Sequence, residues 1–267
     1  MSDVPGESEA GPIRRDPIVR RIALSDIFEA LALGLRDFQA APLYGLFFGA
    51  IYAFGGIGIV TAAFAFGIGW LPYPIAAGFA LIGPFVAVGL YEVSRRREAG
   101  TALSFGSVLG VVYDQHRREL GWMAFVTLFV FLVWMYQVRM LLALFLGFKS
   151  FASLHEFLDV VLTTPEGLMF LAVGHAVGAV LSVVLFSLTV VAFPLLLDRD
   201  LDFITAMITS VRTVTTNPVP MLTWAAVVVA LLALSILPGF LGLLLTLPVL
   251  GHTTWHLYRR LVAPPID

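Results

Sequence analysis

The sequence contains no cysteine, which excludes a disulfide framework, a thiolate zinc site, a cysteine-ligated iron–sulfur centre and a cysteine nucleophile. Charge is scarce too. Only 13 % of residues are charged and the net charge is −2, so no basic patch on a solvated domain predicts a nucleic-acid partner. The opening stretch MSDVPGESEAGP has no apolar core and carries Asp3, Glu7 and Glu9, so it reads as a short disordered tail and not as a cleavable signal. Targeting is then expected to fall to the first membrane helix.

Apolar residues are what the chain has in excess: 59 % of the sequence, with a mean hydropathy of +0.93. A water-soluble globule of 267 residues cannot enclose that much apolar surface, so lipid is expected to solvate much of it. The apolar runs 43–66, 73–91, 121–147, 167–197, 220–237 and 239–258 each reach or exceed the ~20 residues that cross a hydrocarbon core. Unbroken runs, without period-2 alternation, exclude a lipid-facing barrel, and open sheets cannot lie in hydrocarbon. The expected fold is an all-α integral membrane protein with six transmembrane helices.

Between the spans, apolar residues recur at helical spacing beside polar ones: Ile27, Leu31, Leu35 and Phe38; the segment 104–117; and Phe203, Met207, Ile208 and Val211. These segments are expected to be interfacial amphipathic helices on the cytoplasmic side, with a shorter counterpart at 155–163 on the other. Of the 16 basic residues, all but Arg139 and Lys149 fall on one side of a six-span topology, which predicts an inner-membrane type of protein with both termini cytoplasmic. Asp26, Ala30, Arg36, Pro42 and Leu46 recur as Asp202, Ala206, Arg212, Pro218 and Leu222, while Pro84, Arg95 and Arg96 recur as Pro248, Arg259 and Arg260. This suggests a degenerate parallel internal repeat with halves at 25–97 and 201–260. The chain is thus expected to comprise a tail at 1–21, one membrane domain at 22–262 and a short tail at 263–267.

Few residues point to chemistry. His252 and His256 lie four apart on one helical face, where neutral imidazoles can ligate a metal or a haem iron, but Thr253 stands where a metalloprotease pair needs glutamate. His175 lies deepest, and its bland alternative is a packed ring bonding a helix backbone. Arg139, with Gln137 nearby, is a costly group inside a span, serving as a snorkelling anchor or as an anion or lipid contact. Glu92 sits one turn before Arg95 and Arg96, which predicts local ion pairs. The arginine pairs Arg95–Arg96 and Arg259–Arg260 read as topology determinants and contacts to anionic headgroups. Gly174 and Gly178 are spaced for close helix contact, and Trp70, Trp122, Trp224 and Trp255 suit an interfacial belt. No nucleophile, histidine and carboxylate share a depth, so no enzyme is read from these residues.

The segments GLRDFQAAP (34–42), GPFVAVGLYEVSRR (83–96), FPLLLDRDLDF (193–203), SVRTVTTNP (210–218) and PVLGHTTWHLYRR (248–260) together resemble the bacterial integral-membrane family known as domain of unknown function number 2189. Members are often labelled cytochrome c oxidase subunit I. The resemblance implies a membrane protein and assigns no catalytic residue. Five histidines cannot supply the six ligands of a haem–copper core, so the label leaves room only for an accessory or assembly role. Three functions follow as expectations: a non-enzymatic accessory, assembly or lipid-contacting component, a small-solute or ion transporter or channel, and a haem- or metal-bearing redox protein. Membrane lipids are the expected partners, together with a larger complex or a second copy; no cofactor is assigned.

Overall fold

The computed structural model describes residues 16–66, 83–116, 119–147 and 154–265. The tail up to residue 15, the stretch 73–82 of the expected second span, Trp70, Arg117, Arg118 and Lys149 lie outside the described residues. Everything described is helical except for short connections and one isolated antiparallel bridge between Val19 and Val262.

In chain order the helices are α1 (Leu24–Ala40), α2 (Pro42–Phe66), α3 (Gly83–Glu98), α4 (Phe105–His116), α5 (Glu119–Leu146), α6 (Leu154–Thr163), α7 (Pro165–Thr189), α8 (Ala192–Asp198), α9 (Phe203–Thr216), α10 (Pro218–Ile236) and α11 (Leu243–Leu261). Proline sets two of the junctions. Ala41 leaves α1 at φ −135° and ψ 53°, Asn217 leaves α9 at φ −126° and ψ 54°, and each hands over to a proline at the first position of the next helix. The residue before proline is pushed out of helical geometry, while proline itself fits a helix start because its missing N–H would have no partner there.

The expected six spans are corrected to four. Among the described residues only 42–62, 119–146, 165–198 and 218–236 are helical stretches long and apolar enough to cross a membrane. The protein is nonetheless a multi-pass all-α membrane protein. The expected sixth span is α11, whose apolar residues are core residues: Leu250, Trp255, Leu257, Tyr258 and Leu261 are buried together with His252 and Thr253. Protein, not lipid, covers them. Of the expected second span, the described part is α3, sixteen residues long, which ends in a buried glutamate and three arginines.

Packing inside the chain takes up one face of the first expected interfacial helix. The inward face of α1, formed by Ile27, Ala30, Gly34 and Asp37, is spent on α11. In turn α11 packs on α1, α2 and α3, so the last helix of the expected second half lies inside the first. Within the first half, α3 has no comparable seat on α9 or α10. The two halves therefore make one packed unit.

The centre of that unit is a head built from α1, α3, α8, α9 and α11. Its core holds Leu195, Ala206, Met221, Trp224, Trp255 and Tyr258. Trp224 and Trp255, expected in an interfacial belt, are fully buried there, whereas Trp122 is exposed and stacks on Phe203. The chain ends close the head: Arg20 N–H donates to Leu261 O at 2.7 Å and Ala263 N–H to Ile18 O at 2.9 Å. Asn217 ties that seam to α9, accepting from Ile22 N–H at 2.9 Å and donating to Arg20 O at 3.0 Å. From the head, α5 and α7 extend as a paired stem.

Candidate functional site

Two places combine polar groups with a defined geometry: the face of the head that carries the charges, and a cavity in the stem.

In the head, α1 and α11 lie antiparallel and close. A side chain at Gly34 would run into the backbone and hydroxyl of Thr253, so only glycine permits this approach. The contact places Asp37 against His256, 219 positions away: Nε2–H of His256 donates to Asp37 Oδ2 at 2.7 Å. Arg97 Nε donates to the other oxygen at 2.8 Å. Burial alone would raise the Asp37 carboxyl, but hydrogen bonds from His256, Ser94 and Arg97 outweigh it and hold it at about 2. Ser94, donating to Asp37, is left to accept from the next group along, Nδ1–H of His252, at 2.8 Å.

His252 is therefore a neutral ring with its proton on Nδ1, and its Nε2 is buried with no partner among the described residues. Burial pushes its pKa down to about 4, against the opposing pull of Asp37. The chain His252–Ser94–Asp37–His256 runs from a fully buried ring to a half-buried one. Because both expected metal-binding histidines have a ring nitrogen engaged here, the arrangement works as a clamp between helices. No group of three or more potential metal ligands assembles among the described residues.

Around the clamp the arginines are spent on acids. Glu92, with no exposed surface, takes Arg95 Nε at 2.7 Å and Arg96 Nε at 2.6 Å, the i,i+3 and i,i+4 contacts its position predicts. Glu98 accepts from Trp255 Nε1 at 3.0 Å and from Arg259 Nε at 3.1 Å; Asp198 accepts from the Tyr258 hydroxyl at 2.6 Å. Arg260 reaches Asp26 at 2.5 Å and Glu29 at 2.8 Å. The pair Arg259–Arg260 thus holds helices together, while Arg95 and Arg96 neutralise Glu92 on their own helix. The exposed arginines that make no ion pair among the described residues are Arg20, Arg21, Arg36 and Arg139.

The stem cavity has a volume of about 800 Å³ and lies between α5 and α7, touched by Val229 of α10. Its lining is apolar apart from Thr127, His175, Ser182 and the indole N–H of Trp134. Trp134 forms part of the wall by seating its ring against Gly178, where a side chain would collide with it, whereas a side chain at Gly174 would meet nothing. Of the expected glycine pair, Gly178 serves close packing and Gly174 serves open space. His175 Nδ1 lies 2.7 Å from Leu171 O. A carbonyl only accepts, so the proton sits on Nδ1, and Nε2 keeps a lone pair with no partner among the described residues. Thr127 is satisfied by Met123 O at 2.9 Å, while the Ser182 hydroxyl makes no hydrogen bond among the described residues. Neither Arg139 nor Gln137 borders the cavity; Arg139 is exposed and Gln137 half-buried on α5.

Sequence reasoning singled out His252, His256, His175 and Glu92 but missed Asp37, Ser94, Glu98 and Asp198. Each of these lies in a segment that carried the family resemblance or directly after one, and the five segments meet in the head. Residues 71–198 match the family described as predicted integral membrane protein, DUF2189. That match takes in α3 to α8, and so the whole stem, while α1, α2 and α9 to α11 lie beyond it. No curated protein and no solved structure matches the chain.

Proposed function

We propose that the protein is a non-enzymatic component of the bacterial inner membrane, with both termini cytoplasmic, that works through contacts with membrane-soluble molecules in the α5–α7 cavity. The observation that carries this reading is a ligand-sized apolar cavity on a stem whose most apolar α5 stretch is only 6 % buried by protein. The head supplies the anchor, with its acids and bases neutralising one another. Arg20, Arg21 and Arg36 are the arginines left to meet anionic headgroups. Membership of the whole chain in the matched family is part of this reading. A transport role for a polar solute gains nothing from an apolar cavity that neither Arg139 nor Gln137 borders.

The test is quenching of Trp134 fluorescence by brominated-chain phosphatidylcholine in reconstituted bilayers, with Trp134→Phe as the subtraction. Strong quenching that Gly174→Leu relieves is expected. A Trp134 signal blind to bromine would sink the reading. Reporter fusions at the two ends test the orientation; activity of both on the periplasmic side would refute it.

A further inference from the structure

The cavity holds an acceptor that nothing in the protein uses. Leu171 O fixes the His175 tautomer, so the lone pair on Nε2 has to find its partner outside the chain. No charged side chain lines the cavity beside the ring. Several ligand chemistries fail against such a site. A phosphate or carboxylate headgroup would bring anionic oxygens to a lone pair, and no arginine or lysine lines the cavity. A carbonyl compound would leave Nε2 without a donor, whatever it accepted from Ser182 or the Trp134 indole. A plain hydrocarbon would bury Nε2 unsatisfied.

What fits is a donor carried on an apolar body. Two further features agree with that. Gly174, beside His175, leaves open space for a bulky chain, and the Ser182 hydroxyl, seven residues on along the same helical face, offers a second polar contact about 10 Å away. We infer that the α5–α7 cavity binds a lipid-soluble alcohol, of long-chain or isoprenoid type, whose hydroxyl donates to His175 Nε2 while its chain lies along Gly174 and Trp134. This rests on the lipid-contacting reading above and names the ligand class for the same cavity.

The experiment uses the full chain in nanodiscs and compares retention of radiolabelled farnesol with that of farnesyl methyl ether, which has the same body and no donor. The alcohol is expected to bind with one-to-one stoichiometry and about tenfold more tightly than the ether. His175→Phe brings the two probes to equal affinity, His175→Gln restores part of the difference through its amide oxygen, and Gly174→Leu loses both. Equal binding of alcohol and ether by the unaltered chain overturns the inference and leaves the lipid-contacting reading standing. Failure to retain either probe overturns both. A Soret band that vanishes in His175→Phe would also overturn the inference, by giving Nε2 to a haem iron. Should His175→Phe fail to fold, the alcohol-to-ether ratio of the unaltered chain decides alone.

Discussion

The head and the stem both carry many apolar residues and solve opposite problems. In the head, apolar side chains are covered by other helices, and charged groups survive beneath the surface because each has a partner within hydrogen-bonding distance. In the stem, α5 packs on α7 and leaves Phe125, Phe129, Leu132, Tyr136 and Leu144 facing outward. Apolarity alone does not say which solvent a helix has. Where the polar atoms go does: α11 turns its histidines, threonines and arginines toward protein partners, whereas α5 leaves Arg139 outside with none.

Substitutions sharpen this contrast, and the largest effect belongs to the head. Arg95→Ala with Arg96→Ala strands the Glu92 carboxylate where water does not reach it, and is expected to cost about 3–5 kcal/mol of unfolding free energy in detergent titrations. A loss below 1 kcal/mol would mean that water reaches Glu92. Asp37→Asn removes the acceptor shared by His256 and Arg97 and should cost about 2–3 kcal/mol near neutral pH, read as a drop in thermal midpoint.

The pH dependence separates the same two regions. His252 has its pKa depressed from 6.5 to about 4 in the folded protein, so protonation favours the unfolded chain. Its stabilising contribution is complete above the unfolded value and is lost as pH falls from 6.5 toward 4, at most ~3 kcal/mol. Asp37, held at about 2, adds a second loss as pH falls below 3.8. Melting curves at successive pH values should show the first decline, and His252→Gln should flatten it; an unchanged slope in that variant would assign the decline elsewhere. Next in size comes Gly34→Ala, expected to lose about 1–3 kcal/mol because Thr253 backbone stands in the way, against near-neutral Gly174→Ala in the stem. Arg139→Ala should move stability by no more than about 0.5 kcal/mol, since it leaves no acid behind.

Long apolar helices were legible from their runs, and their starts at Pro42 and Pro218 from the prolines. Glu92 with Arg95 and Arg96 was legible because a helical turn joins them locally. The number of spans was not, since hydropathy scores a leucine alike in lipid and in protein, and α11 is apolar for the second reason. Asp37 with His256, and Ser94 with His252, could not be seen at all. Their partners are separated by 219 and 158 residues, and only the close approach at Gly34 creates the first pair. His175 stood out as an oddity, but its meaning depends on a neighbouring helix and on Gly174 being empty.

The bridge between Val19 and Val262 sets an order of assembly. Arg20 and Ile18 find Leu261 and Ala263 only after the ribosome has released residue 263, so α1 waits through the synthesis of all four long helices before its seat on α11 exists. A chain stopped at residue 242 would insert all four long helices and still leave that early helix without a mate. Such a truncated product would be held in the bilayer yet recognisable to quality control by the bare Gly34–Asp37 surface.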